Sequence, residues 1–147
     1  MGRILAIDYG TKRTGLAVSD PTRTIAGALD TVPTHEVKTY LKKYIASNDV
    51  DIIVVGKPSQ MDGTPSQSFT QIEPFVRRLH KEFPGVEIEY YDERFTSVLA
   101  QRAIIDGGVR KIARRDNALV DRISAVIILQ GYMESLINRN RNKFDTF

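Results

Sequence analysis

The stretch that decides the fold is Ile4–Asp20, which reads ILAIDYGTKRTGLAVSD. Two apolar runs flank a short turn bracketed by Gly10 and Gly15, and this pattern predicts two strands joined as a hairpin. Asp8 is the last residue of the first predicted strand, where buried backbone gives way to solvent. A carboxylate there, beside a glycine that permits close approach, suits a metal ion or a phosphate. Alternatively, Asp8 only opens the turn.

The composition is that of a globular protein with a single core. The 147 residues are 41% hydrophobic and 27% charged, which predicts one domain spanning residues 1–147. No apolar run approaches the ~20 residues of a membrane span, and we expect no signal peptide because the N-terminus leads directly into a strand. The absence of cysteine excludes disulfides, thiolate zinc sites and a cysteine nucleophile. We therefore expect a cytoplasmic protein without membrane contact.

Ionisable side chains narrow the kinds of site that the chain can form. The two histidines, His35 and His80, lie far apart on helix-like stretches, which argues against a histidine metal site or a catalytic triad. Any bound metal should therefore be a hard ion held by carboxylate oxygens. The net charge of +3, from 21 basic and 18 acidic residues, permits nucleic-acid binding without requiring it.

Hydrophobic periodicity and turn residues divide the rest of the chain into strands and helices. In chain order they are a strand at Thr24–Val32, a helix at His35–Ser47 capped by Thr34, a strand at Asp51–Gly56, a helix ending near Phe83, a strand at Val86–Tyr91, a helix from Thr96 or Ser97 to Gly107–Gly108, and a helix at Ala118–Asn138. Pro74 implies that its helix starts late or is kinked.

This order of elements predicts an α/β fold. Three meander strands followed by strands linked through helices form a mixed sheet with helices on its faces. Right-handed crossovers place the fourth and fifth strands parallel to the first. The result is a five-stranded sheet of order 3-2-1-4-5, which is the ribonuclease H-like arrangement.

Three carboxylates are expected near one edge of this sheet. Asp8 ends the first strand and Glu93 ends the fifth, so both face the crevice where open α/β sheets bind ligands. Asp121 lies one turn into the last helix, within an apolar stripe of Val120, Ile123 and Ile127, although an acid there also complements the helix dipole. The first and fifth strands are about 10 Å apart, so bridging divalent ions rather than direct contact would join the acids. Magnesium or manganese would also relieve their mutual repulsion.

Four segments of the chain resemble the YqgF-like family. They are Asp8-x-Gly-x-x-x-x-Gly, the step from Val55-Gly56-Lys57-Pro58 into Met61-Asp62-Gly63-Thr64, the triplet Asp92-Glu93-Arg94 before Thr96, and Val120-Asp121-x-x-Ser-Ala-Val-Ile-Ile-Leu. Members of this family are described as pre-16S ribosomal RNA nucleases and as Holliday junction resolvase-like proteins. The resemblance extends over nearly the whole chain, in family order and spacing.

The resemblance implies a ribonuclease H-like fold, a cytoplasmic setting and a hydrolase that cleaves phosphodiester bonds with a divalent metal, Mg²⁺ or Mn²⁺. By motif position, it implies that Asp8, Glu93 and Asp121 are the catalytic and metal-binding residues. It also implies processing of the 5′ end of pre-16S ribosomal RNA during ribosome biogenesis. In one departure, the fourth strand ends in Gly56-Lys57-Pro58, without the acid that many ribonuclease H-like nucleases carry there.

Six basic residues are candidates for contacts with nucleic-acid phosphates. Lys12 and Arg13 lie in the turn after the first strand, where they either hold phosphates or neutralise nearby acids. Arg94 follows the acid of the fifth strand and either orients its carboxylate or contacts the phosphate. Lys111, Arg114 and Arg115 precede the last helix, and they either bind phosphate or form a solvated face.

Three other functions remain open at this point. The same chemistry would serve a DNA endonuclease that cleaves Holliday junctions. Enzymes of that kind act as dimers with paired sites, and we expect this chain to be a monomer or a homodimer. A non-catalytic RNA-binding factor in ribosome assembly could use the same crevice. The Asp-x-Gly-Thr turn also resembles the phosphate loop of actin-like ATPases, but those enclose a nucleotide between two such domains, and 147 residues supply one.

Overall fold

A computed structural model describes residues 2–57, 69–92 and 117–145 of the chain. Within these ranges the strands are β1 (Arg3–Asp8), β2 (Arg13–Ser19), β3 (Ala26–Pro33), β4 (Val50–Lys57) and β5 (Glu87–Asp92). The helices are α1 (Val37–Ser47), preceded by a 3-10 turn at Thr34–Glu36, α2 (Phe69–Glu82) and α3 (Asn117–Asp145). In this described part of the chain, no helix has the length and apolar character needed to cross a membrane.

The five strands form one mixed sheet in the order β3-β2-β1-β4-β5. β1 pairs antiparallel with β2, and β2 with β3, whereas β1 and β5 both run parallel to β4. Both the order and the strand directions confirm the sequence-based prediction. Because β1, β4 and β5 point the same way, their carboxyl ends lie at one edge of the sheet.

The sheet separates two hydrophobic cores, because successive side chains of a strand face opposite sides. On one face, α1 and α2 cover a core that includes Leu5, Ile7, Ile53 and Val55. On the other face, α3 covers a core that includes Ile4, Ala6, Ile52 and Val54. β4 is thus buried on both sides, which explains its continuous run of β-branched residues.

Several element boundaries differ from the sequence-based prediction. α2 begins at Phe69, ahead of Pro74, so the late start is not observed. α3 extends to Asp145, beyond the expected end at Asn138. Thr34 does not cap a helix with its side chain, and α1 begins at Val37 after the 3-10 turn. The helix predicted over residues 96–108 lies outside the described residues.

Candidate active site at the carboxyl edge of the sheet

Asp8 is the last residue of β1 and is half-buried. It pairs with Gly15 across the hairpin to β2. Alternation along the strand puts Asp8 on the same face as Ile4 and Ala6, which pack in the core beneath α3. The carboxylate therefore lies at the carboxyl edge of the sheet, on the side that α3 covers.

The turn that follows Asp8 is held by hydrogen bonds from Thr34. The Thr34 hydroxyl donates to the carbonyl oxygen of Gly10 at 2.5 Å, and the Thr34 N–H donates to the carbonyl of Lys12 at 3.0 Å. Because a hydroxyl has one hydrogen to donate, its 2.9 Å contact with the buried Thr14 must be donated by Thr14. The side chain predicted to cap a helix is thus used to fix the turn beside Asp8.

Gly10 is required at this turn by close packing. A β-carbon at Gly10 would lie 2.2 Å from the carbonyl oxygen of Arg13, a backbone atom that cannot move without opening the hairpin. The signal was present in the sequence as the glycine two residues after Asp8. The turn and the strand together fix the backbone at Asp8.

The ends of β4 and β5 flank Asp8 in a defined register. Ile7 pairs with Val55, and Gly56 pairs with Tyr91. One residue beyond Ile7, Asp8 is therefore level with the Gly56–Tyr91 row, and β1 lies about 10 Å from β5 across β4. Between Asp8 and β5, β4 thus contributes a glycine, with no side chain to occupy the crevice.

Two contacts of β5 with α3 establish which of its side chains share the face of Asp8. The hydroxyl of Tyr132 donates a hydrogen bond to the carboxylate of Glu89, and Gly131 lies against the ring of Tyr91, whose Oη would be 2.6 Å from a β-carbon at that position. Burial, followed by the hydrogen bond to Glu89, raises the pKa of the Tyr132 hydroxyl, so it remains a donor. The odd-numbered residues of β5 therefore face α3, and the even-numbered residues face α2.

The N-terminal part of α3 lies towards the edge of the sheet that holds Asp8. Met133 and Ile137 line a groove with Arg23–Ala26. This segment leads from β2 into the first residue of β3, at the edge of the sheet where β1 begins. Residue 121 lies twelve residues before Met133, about 18 Å along the helix axis, and β1 spans about 17 Å. The backbone of Asp121 is therefore carried to the same edge as Asp8.

The buried stripe of α3 differs in part from the apolar residues expected along this helix, of which Ile128 and Met133 are buried. Ile123 and Ile127 are half-buried, whereas the buried positions are Ala125, Ile128, Leu129, Tyr132 and Met133. In this orientation of the helix, Tyr132 reaches Glu89 and Gly131 lies against the Tyr91 ring. Asp121 lies four residues before Ala125 on this helix, and its side chain lies outside what is described.

The remaining predicted site residues divide between the described and undescribed parts of the chain. Lys12 is exposed in the turn after Asp8, and Arg13, predicted to lie in that turn, is exposed as the first residue of β2. Tyr9, which follows Asp8, packs on Phe75 with ring centroids 4.9 Å apart. Among side chains that the structure describes, no group of three or more His, Cys, Asp or Glu could hold a metal ion. The residues that fall outside the described ranges are Glu93, Arg94, Lys111, Arg114 and Arg115.

Comparisons with known proteins identify the family. Residues 2–135 match the family model described as "RuvX: Holliday junction resolvase". The chain is 54% identical over 135 residues to a Bacteroides thetaiotaomicron protein, covering 92% of this chain and 98% of that protein. It is 53% identical over 135 residues to a Porphyromonas gingivalis protein, with the same coverage of both chains. Both relatives are named "Putative pre-16S rRNA nuclease".

A solved structure, "Structural Study of the Aquifex aeolicus PPX-GPPA enzyme", aligns at 15% identity with a TM-score of 0.35, covering 62% of this chain and 36% of that one. This likeness is too weak to support an argument about fold or function. The family match and the two relatives, by contrast, extend over most of the chain, and they confirm the YqgF-like resemblance of its motifs. The chain belongs to the RuvX family of Holliday junction resolvase-like proteins and has the ribonuclease H-like fold.

Proposed function

We propose that this protein is a nuclease that hydrolyses phosphodiester bonds in structured RNA, and that it processes the 5′ end of pre-16S ribosomal RNA in the cytoplasm. The observation that carries the proposal is the position of Asp8. Asp8 ends β1 at the carboxyl edge of the sheet, on the face that α3 covers. The relatives' shared name, over 92% of this chain, supports ribosomal RNA precursors as the substrate.

The donor chemistry fits a divalent cation. Asp8, Glu93 and Asp121 would hold it, because carboxylate oxygens are the ligands that Mg²⁺ and Mn²⁺ prefer. Glu87, Glu89 and Tyr91 form the series of β5 that faces α3; Glu93 follows β5 in the sequence and lies outside the described residues. When bound, such a cation activates water and offsets the charge that develops on the phosphate.

The chain's own residues have separate roles in this proposal. The hydrogen bonds of Thr34 hold the turn that follows Asp8 and so support its position at the end of β1. Lys12 and Arg13, exposed beside Asp8, contact substrate phosphates, with arginine able to form two parallel hydrogen bonds. Arg94, Lys111, Arg114 and Arg115 lie outside the described residues, and in this proposal they also contact phosphates of the RNA backbone.

The test uses purified protein, Mn²⁺ and two substrates: a pre-16S RNA fragment with its 5′ extension, and a four-way DNA junction. Wild-type protein is expected to cleave the RNA, and Asp8→Asn is expected to fold normally and not to cleave. Asp49→Asn is the matched control, because Asp49 is exposed just before β4, at the opposite edge of the sheet. Cleavage of the junction alone would assign a DNA endonuclease. Tight RNA binding without cleavage would assign a non-catalytic assembly factor.

A further inference from the structure

A second concave surface lies on the face of the sheet opposite α3. Two adjoining cavities, of about 540 and 230 Å³, open between the β1–β2 turn, the 3-10 turn and α2. They share Thr34, His35, Phe75 and Arg78 in their walls. We call this surface the Arg78 groove.

Among the described residues, the basic side chains that line the Arg78 groove are Lys12, His35, Lys38 and Arg78; the imidazole of His35 lies 3.8 Å from the carboxylate of Glu36. Lys38 is paired with Glu82, with Nζ and Oε2 3.2 Å apart. Within the described residues, the side chains of Lys12 and Arg78 have no ion pair or hydrogen bond, and both are exposed. The groove therefore presents two cations to an incoming anion, one of them a guanidinium that can bind phosphate through two hydrogen bonds.

The floor of the groove is apolar. Phe75 and Leu79 are buried, and the Tyr9 ring lies at 43° to that of Phe75. A small inorganic anion would gain nothing from such a floor. A nucleic-acid strand has both anionic phosphates and flat apolar surfaces on its sugars and bases, so it matches the rim and the floor together.

The groove is adjacent to Asp8 along the chain. Tyr9, which lines the groove, directly follows Asp8 and faces the α2 side, whereas Asp8 faces the α3 side. A strand whose phosphate lies at Asp8 can therefore pass over the end of β1 and place its next nucleotides in the groove.

We propose that the Arg78 groove binds the sugar-phosphate backbone of the RNA strand next to the bond that is cut, with Arg78 and Lys12 contacting its phosphates. This inference rests on the proposed nuclease function and adds a binding site for the flanking nucleotides. Arg78 lies on α2, far in sequence from the family's acidic motifs, and it binds the substrate without taking part in the chemical step.

The experiment measures the dissociation constant for a single-stranded pre-16S RNA fragment over a series of salt concentrations. The variants are Arg78→Ala and Lys12→Ala/Arg78→Ala. Each phosphate that is no longer neutralised should lower the slope of log affinity against log salt by about 0.7, so the slope of the double variant should fall by about 1.4. Arg78→Lys keeps a point charge and should recover most of the slope.

Arg77→Ala is the matched control. Arg77 is the neighbouring exposed arginine of α2, but it is paired with Glu73 and does not line the groove. Its removal should leave the salt slope unchanged. Equal slopes for wild type and the Arg78 variants would overturn the groove proposal even if wild type cleaves RNA. If the Arg78 variants lower the salt slope as expected but wild type does not cleave RNA, the nuclease function is overturned and the groove proposal holds.

Discussion

Gly131 of α3 lies directly against the phenol of Tyr91 in β5: a β-carbon at 131 would be 2.6 Å from Oη and 2.9 Å from Cζ. This contact sets how closely the helix that carries Asp121 approaches the strand that leads to Glu93. At residue 131 two effects oppose each other, because an alanine would favour the helix but would collide with the Tyr91 ring.

Gly131→Ala is therefore expected to destabilise the protein. Alanine favours the helix by about 1 kcal/mol over glycine, but forcing a methyl group against the Tyr91 ring costs about 1–3 kcal/mol. The net loss should be about 1 kcal/mol, measured by urea unfolding. In a Tyr91→Ala background the obstruction is gone, so the same substitution should become stabilising. If alanine were tolerated equally in both backgrounds, the close approach of Tyr91 would not limit α3.

Gly10→Ala should have a larger effect, because the obstructing atom is the backbone carbonyl of Arg13 at 2.2 Å. We expect a loss of about 2–3 kcal/mol and, under the proposed function, loss of RNA cleavage as the turn beside Asp8 is displaced. Gly85→Ala is the control, since nothing lies within 4 Å of its would-be β-carbon. Normal thermal unfolding of Gly10→Ala would contradict the assigned turn geometry.

Asp20 predicts a specific dependence of stability on pH. Its carboxylate accepts hydrogen bonds from the N–H groups of Ile25 and Thr24, both at 2.7 Å, and from the Thr22 hydroxyl. The bond from Ile25 and then that from Thr22 contribute most to lowering the pKa of Asp20 from 3.8 to about 2. A lowered pKa stabilises the fold above the unfolded value, and this contribution is lost as pH falls through about 2.

Asp20→Asn should accordingly be less stable near neutral pH and lose less stability than wild type as pH is lowered from about 4. Thermal unfolding followed by circular dichroism across this range checks the sign. Asp49→Asn serves again as the control, because it changes the same net charge at an exposed site. Parallel pH curves for wild type and Asp20→Asn would remove Asp20 as the source.

Cleavage should require Mg²⁺ or Mn²⁺. Ca²⁺ accepts looser coordination at longer distances and should not support the reaction. Single-turnover assays with each ion, and with excess chelator, measure this requirement. Full activity in chelator would refute a site built from Asp8, Glu93 and Asp121.

The basic residues before α3 should act on binding. Replacing Lys111, Arg114 and Arg115 together with alanine should weaken RNA affinity and reduce the salt slope by about 0.7 for each phosphate that these side chains neutralise in the wild type. Asp8→Asn should show the converse, near-normal affinity without cleavage. An unchanged slope in the triple variant would mark these residues as a solvated face.

The strands of the sheet were predictable because local patterns dictate them. The β-branched run of β4 can only be a strand buried on both faces, and short connections with right-handed crossovers leave few possible strand orders. The same logic correctly identified Asp8 as the end of β1. These features depend on neighbours along the chain, so the sequence contains them.

The side-chain roles that depend on distant segments were not predictable. Threonine is a residue type favoured at helix N-caps, yet the Thr34 hydroxyl donates its hydrogen bond to the carbonyl of Gly10, twenty-four residues earlier. The last helix has more than one apolar series, and the buried one includes Tyr132, whose hydroxyl bonds the distant Glu89. The Arg78 groove brings together the turn after β1, the 3-10 turn and α2, and no local pattern links these segments.

Asp8 and Tyr9 face opposite sides of the sheet, so the site is sensitive to the register of β1. Inserting a single residue between Ile4 and Asp8 would turn the carboxylate to the α2 side and the aromatic ring to the α3 side, because side chains alternate strictly along a strand. An insertion of two residues would restore both assignments and only lengthen the strand. Insertions of an even number of residues in β1 thus keep both side chains on their present sides. Insertions of an odd number exchange the proposed reaction side of the sheet with its proposed binding side.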